Sequence, residues 1–108
     1  MSIDEGLADR VRAALSDRGV EWEERRMFGA LVFMVDAAIA LGVRRGGGLL
    51  VRCDPDEGAA LLREVGPQRA RQARMGERDM GPGWIDVSPE GVDRDGELDH
   101  WVGAALRR

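Results

Sequence analysis

The sequence is poor in the side chains that build disulfides and metal centres. Its 108 residues include one cysteine, Cys53, and one histidine, His100. A lone cysteine cannot form an intramolecular disulfide, and structural zinc sites are built from several cysteine and histidine ligands. We therefore expect no disulfide, no metal and no bound cofactor.

Lysine is absent, and all sixteen basic residues are arginines. Twenty acidic residues outnumber them, which gives a formal net charge of −4. Strongly basic nucleic-acid modules carry the opposite balance, so the charge argues against tight DNA binding. At physiological salt we expect no binding to duplex DNA tighter than roughly 10⁻⁵ M, which lies within the range of weak non-specific binding.

A secretory leader and an apolar run of membrane-spanning length are also missing. The longest apolar tract is interrupted by Asp36. These absences predict a cytoplasmic protein without membrane association. The length predicts one domain over residues 1–108.

The apolar tract has the pattern of a β-hairpin. Two runs, 27–35 and 38–43, flank the pair Asp36-Ala37, which predicts a two-residue loop of type I′. Strict alternation then predicts the pairs Val35–Ala38, Met34–Ile39, Phe33–Ala40, Val32–Leu41 and Leu31–Gly42. Large side chains would oppose small ones on one face, so we expect a helix over that side.

Capping and turn signals place the other elements. A capping box at Ser2-Ile3-Asp4-Glu5 predicts a helix over 3–18, and Asp54-Pro55 predicts a second one that ends at Gly66-Pro67. Asp93 or Asp95 is expected to cap the last helix. Residues 22–26 lead into the first strand, where Gly29 predicts a bulge or a close backbone approach. Further strands are expected at 49–53, near 70–75 and at 84–87. The order is helix, three strands, helix, two strands, helix.

Several residues suggest a site but have a plainer interpretation. Helical periodicity puts His100 opposite the apolar stripe of the last helix, which predicts a solvated histidine that cannot pair with Cys53. The acids at 93–99 lack the spacing of a calcium loop. The run Arg44-Arg45-Gly46-Gly47-Gly48 predicts a plain turn, because a phosphate-binding loop would continue into a helix. We therefore expect no enzyme and no catalytic residues.

Arginines are the candidates for partner or ligand contact, although solvated side chains would give the same pattern. One pair precedes the hairpin and the others form a local basic cluster in the second half of the chain. The candidates are Arg25, Arg26, Arg69, Arg71, Arg74 and Arg78.

Five segments resemble, in order and spacing, the N-terminal domain of the TfoX/Sxy competence regulators. They are 26–29, 33–36, 54–57, 80–87 and 98–102. The resemblance implies an α+β fold, with a single antiparallel sheet of about five strands packed with three helices. It also implies a structural role for the motif residues Met27, Phe28, Gly29, Gly83 and Trp84, and a bacterial protein that takes part in gene regulation. We expect a stand-alone domain of this type without the C-terminal domain of the full-length regulators.

These observations favour a non-enzymatic regulatory or interaction domain with a protein partner, and they leave a homodimer open. The alternative is a domain that binds a small ligand or nucleic acid through its arginine-rich face. A flat apolar patch would favour the first hypothesis. A concave pocket lined by converging arginines would favour the second.

Overall fold

Three helices lie on one side of a six-stranded antiparallel sheet in the computed structural model, which describes residues 3–27 and 29–107. The helices are α1 (Glu5–Asp17), α2 (Pro55–Val65) and α3 (Asp95–Leu106). The strands are β1 (Glu23–Met27), β2 (Ala30–Val35), β3 (Ala38–Arg44), β4 (Leu49–Arg52), β5 (Ala70–Gln72), β6 (Arg74–Met75), β7 (Arg78–Asp79) and β8 (Trp84–Val87). A 3₁₀ turn, Pro89–Val92, precedes α3.

The sheet order is β1-β2-β3-β4-β8-β5, and β6 and β7 form a separate small hairpin. The α+β class and the three helices agree with prediction, but the strand count is higher than the predicted five. The expected first strand is in fact two antiparallel strands, because the chain reverses at Gly29, whose φ is +71°. The predicted bulge at Gly29 is therefore a turn. Phe28 lies outside the described residues.

Helix termini follow local side-chain chemistry. The Asp4 carboxylate accepts a hydrogen bond from the Leu7 amide at 3.0 Å, and Asp54 accepts one from the Asp56 amide at 2.9 Å. The predicted capping role of Ser2 lies outside the described residues. The prediction for α3 is wrong: Arg94 is the N-cap, and Glu97 accepts from the Arg94 amide at 3.2 Å.

The central hairpin has the predicted loop but only part of the predicted register. Asp36 and Ala37 both have positive φ, as a type I′ turn requires, and the first two pairs are as expected. Beyond them, β3 carries one extra residue, Ala40, so that Phe33 pairs with Leu41 and not with Ala40. The observed pairs that follow are Val32–Gly42, Leu31–Val43 and Ala30–Arg44.

This bulge turns Leu41 and Val43 toward the helices, where both are fully buried. Burial of such a side chain contributes about 1.5–3 kcal/mol, whereas a lost ladder hydrogen bond costs about 0.5–1.5 kcal/mol. The shifted register is therefore the more stable one. The predicted face of large and small pairs does not form.

The core lies between the sheet and the three helices. Phe33 and Trp101 are its largest side chains, and both are buried. Val11 and Leu15 of α1 and Val102 of α3 join the same apolar cluster. Within residues 3–27 and 29–107, none of the helices is long and apolar enough to cross a membrane.

An ion pair attaches α1 to the edge strand β1. Arg12 donates from Nε and Nη2 to the two carboxylate oxygens of Glu24, each at 2.8 Å. Trp22 adds a hydrogen bond from Nε1 at 3.0 Å. These donors, with Arg12 first, hold the pKa of Glu24 down at about 2 against the opposing effect of its partial burial.

We expect Ala37→Gly to stabilise the protein. Relief of left-handed strain at Ala37 gains about 1–2 kcal/mol, and the larger unfolded-state entropy of glycine removes about 0.4–1 kcal/mol. The urea midpoint should therefore rise slightly. Ala59→Gly, the same change on the exposed side of α2, should lower the midpoint as a control. A lower midpoint for Ala37→Gly would contradict the strain argument.

We also expect the ion pair of Glu24 to make stability depend on acid pH. A carboxylate whose folded pKa is depressed contributes stability above its ordinary pKa of 4.5, and that contribution is lost as the pH falls toward 2. After allowance for solvent screening, the parent should lose roughly 1–2 kcal/mol more than Glu24→Gln over this window. Urea unfolding at a series of pH values measures the difference.

The control for this experiment is Glu21→Gln, which removes an exposed carboxylate from the neighbouring loop. It should keep the pH dependence of the parent. If Glu24→Gln and the parent lost stability in parallel, the ion pair would have no net effect on folding.

Candidate functional site

The side of the sheet away from the helices is covered by no helix among residues 3–27 and 29–107. We call it the open face. Val32 of β2 and Leu50 of β4 occupy its centre, next to Ala30 and Gly42. Val32 and Leu50 are buried but do not belong to the apolar cluster under the helices.

Long side chains surround this apolar centre and account for its burial. Strand pairing places four arginines on the open face: Arg25, Arg44, Arg52 and Arg71. Met27 and Met34 lie on the same side and are half-buried. Arginine stems and methionine side chains are flexible and largely apolar, so they shield the centre while remaining able to move.

Two carboxylates also lie on the open face. Glu23 is 3.4 Å from Arg25, and Asp86 is 3.5 Å from Arg44. The guanidinium of Arg52 lies over the Trp84 ring at 5.2 Å from its centroid, the geometry of a cation–π contact. Four cations therefore face two anions on a protein whose total charge is negative.

A concavity lies at each end of the open face. The tip groove, about 780 Å³, is lined by Val20, Glu21, Trp22, Glu23, Arg25, Met34, Asp36 and Ala37. The arginine pocket, about 290 Å³, is lined by Arg44, Arg45, Gly46, Gly48, Pro67, Gln68, Arg69, Ala70, Arg71, Asp86, Val87, Ser88 and Pro89. The structure thus contains both a bare sheet face and a concave pocket with several arginines.

The predicted arginines of the first half do not join those of the second half, because β1 and β5 form opposite edges of the sheet. Arg25 is on the open face. Its neighbour Arg26 projects to the helix side, where its guanidinium is 3.9 Å from the Glu5 carboxylate. These two candidate residues therefore serve different faces.

The four arginines of the second half also divide. Arg69 and Arg71 line the arginine pocket. Arg74 and Arg78 lie on the small β6–β7 hairpin, and Arg74 is 3.2 Å from Asp79. The sequence pattern around Arg44 and Arg45 predicted a plain turn, and nothing in the sequence singled out Arg52. Only the strand order shows that Arg44 lines the same pocket as Arg71 and that Arg52 lies beside Trp84.

The family-motif residues sit at junctions of the sheet. Met27 ends β1, Gly29 forms the turn that follows, and Trp84 begins β8. Gly83 has a φ of +88° and packs against the backbone before α2: an added Cβ would lie 2.6 Å from the Cys53 carbonyl oxygen. The Gly83 carbonyl oxygen accepts a hydrogen bond from the Cys53 amide at 2.7 Å. A side chain at this position would separate β8 from the start of α2.

Cys53 and His100 have surroundings that do not activate them for catalysis. Burial raises the pKa of the Cys53 thiol, so the protonated form is favoured at neutral pH. His100 is half-buried, and its ring meets Trp101 edge-on, with 5.1 Å between the centroids. Its Nε2 is buried without a hydrogen-bond partner in the described chain. The prediction of a solvated His100 is wrong, because α3 turns this side chain toward Val65 and Trp101.

In the part of the chain that the structure describes, no cluster of three or more histidine, cysteine, aspartate or glutamate residues could hold a metal ion. The features that stand out chemically are therefore the open face and its two concavities. The open face and its concavities could bind a partner or a ligand through apolar contacts and through hydrogen bonds from arginine side chains.

Comparison with protein families gives a match that covers most of the chain. No curated protein matches the chain. Residues 13–108 match the TfoX N-terminal domain, from the middle of α1 to the end of the sequence. This match confirms the resemblance carried by the five motif segments, and the chain belongs to the TfoX N-terminal domain family.

Proposed function

We propose that this domain is a non-enzymatic regulatory domain that works by binding another protein through its open face. The observation that supports this proposal is a six-stranded sheet that carries helices on one side, while its other side presents an apolar centre next to arginine, methionine and Trp84 side chains. Arginine and methionine are enriched in protein interfaces, where they adapt to the partner and bury apolar stems. Binding would replace this flexible cover with a packed surface.

The size of the open face suits a regulatory contact. Strands about 4.8 Å apart, with about 3.3 Å per residue, give six short strands a face of roughly 400–500 Å². Stable interfaces bury about 800 Å² on each partner, whereas transient signalling contacts are smaller. The face alone therefore favours a reversible complex, and the adjoining tip groove would extend it.

The edge strands of the sheet are poorly suited to pairing with a strand of the partner, so a contact through the open face is favoured. β1 consists of four charged residues, Glu23, Glu24, Arg25 and Arg26, followed by Met27. Charged side chains on an edge strand oppose pairing with another chain. The other edge strand, β5, has only three residues. The excess of arginine over carboxylate on the open face favours an acidic partner surface.

We expect Met34→Gln, a change on the open face, to weaken partner binding. Proteins from the native organism that the immobilised parent captures would be purified, and their affinities for the parent and the variant compared. Loss of one buried apolar contact should weaken binding about tenfold. Analytical ultracentrifugation of the domain alone would show whether a second copy is the partner.

Met75→Gln is the matched control, since Met75 is 52% exposed on the β6–β7 hairpin, away from the open face. It should bind the partner as the parent does. A partner that bound Met34→Gln and the parent equally, but lost affinity for Met75→Gln, would place the interface elsewhere.

The same proposal implies that the domain has no turnover activity that depends on Cys53 or His100. Neither side chain has an activating partner within residues 3–27 and 29–107, and the Cys53 thiol is favoured over the nucleophilic thiolate. A broad hydrolase and transferase screen of the parent, Cys53→Ser and His100→Ala should find no difference. An activity that either substitution abolished without changing the melting curve would show that the domain is an enzyme.

A further inference from the structure

The arginine pocket brings together three parts of the chain that are distant in sequence. Arg44 and Arg45 come from the end of β3 and the turn after it, Arg71 from the edge strand β5, and Asp86 from β8 between them. Asp86 pairs directly with Arg71 in the sheet, and its carboxylate is 3.5 Å from the Arg44 guanidinium. The Arg44 guanidinium thus lies beside this carboxylate, and Arg71 is the cross-strand neighbour of Asp86 on the open face.

The arginines of the pocket differ in how far their own contacts occupy them. Arg69 forms an ion pair with Glu97 of α3 and so contributes little free charge. Within residues 3–27 and 29–107, the Arg71 side chain forms one hydrogen bond, which its Nε donates to the Pro67 carbonyl oxygen at 3.0 Å. That bond fixes the side chain and leaves its terminal nitrogens available. Arg44 and Arg71 therefore oppose the single charge of Asp86, whereas the guanidinium of Arg45 lies beside Gly29 at the turn between β1 and β2.

We propose that this pocket binds a small phosphorylated molecule, with its phosphate held by Arg44 and Arg71. Guanidinium groups bind phosphate oxygens through paired, charge-assisted hydrogen bonds. Two arginines against one carboxylate leave an excess of positive charge at the pocket, which favours an anion such as phosphate. Gly46 and Gly48 line the pocket without side chains, and the Ser88 hydroxyl, which donates to the Gln68 and Arg69 carbonyl oxygens, fixes the segment that carries Arg69.

The dimensions of the pocket favour a small ligand over a nucleic acid. A volume of about 290 Å³ is at the lower end of the range for small-molecule sites. A duplex needs several phosphate contacts along an extended basic track. Outside the pocket the protein is acidic, since its total charge is −4 in spite of this cluster. The dimensions and lining of the pocket therefore suit one phosphate group.

The test is a titration of the full chain with inorganic phosphate, monitored by the NMR chemical shifts of the backbone amides. The ionic strength is held constant with chloride as the balancing anion. We expect saturable shifts at Gly46, Gly48, Arg71 and Ser88. Arg71→Gln should weaken binding about tenfold, because it removes charge-assisted hydrogen bonds to the phosphate. Asp86→Asn should tighten binding, because it removes the one carboxylate that repels the anion.

Arg63→Gln is the matched control, since it removes an exposed arginine of α2 outside the pocket. It should change the phosphate affinity less than twofold. Shifts that do not saturate, or equal losses for Arg63→Gln and Arg71→Gln, would overturn the proposal. So would an Asp86→Asn variant that binds more weakly than the parent while its melting curve is unchanged.

A short DNA duplex in the same titration separates the two sources of phosphate. Binding to the duplex that is tighter than binding to free phosphate, with a steep salt dependence, would mean that the site belongs to a nucleic-acid surface. Met34→Gln should leave phosphate binding unchanged, so this experiment is independent of the test of the protein interface.

Discussion

The extra residue in β3 determines which side of the sheet becomes the core. With a strict two-residue alternation, Leu41 and Val43 would share a face with Ile39 and point away from the helices. Ala40 interrupts the alternation, so that Leu41 and Val43 join Phe33 and Leu31 under α1 and α3. The same shift places Gly42 beside Val32 and leaves the other face thinly covered. One bulge thus creates both the core and the bare surface opposite it.

Charge is divided between the two sides of the sheet in a way that the total does not reveal. On the helix side, arginines are used in structural ion pairs, such as Arg12 with Glu24 and Arg18 with Asp99. On the open face they outnumber the carboxylates and lie beside apolar side chains. A protein with a net negative charge can therefore still present an excess of positive charge on one face. The net negative charge disfavours a large polyanion, but it does not disfavour a small anion that contacts only this face.

Local signals in the sequence were enough to predict the features that depend on neighbouring residues. Asp54-Pro55 predicted the start of α2, and Asp36-Ala37 predicted the hairpin loop, because caps and tight turns are decided within a few residues. The bulge could not be predicted, since its benefit comes from helices elsewhere in the chain. For the same reason the arginine pocket was missed: Arg44 and Arg71 meet only because β8 lies between β4 and β5. His100 was wrongly predicted to be solvated, because the periodicity of α3 does not show that the end of α2 lies close to this side chain.

The position of β8 in the sheet also governs how the chain can assemble during synthesis. β1 to β4 are consecutive in sequence and can pair as soon as they leave the ribosome, yet β4 ends the growing sheet until α2 and the loop before β8 have followed. During that interval the apolar edge of β4, Leu49-Leu50-Val51, is the exposed margin of a half-finished sheet. Arrival of β8 closes the margin, and the hydrogen bond from the Cys53 amide to the Gly83 carbonyl oxygen holds the residue that precedes β8. The nascent domain is therefore most vulnerable to aggregation in the short period between these two strands.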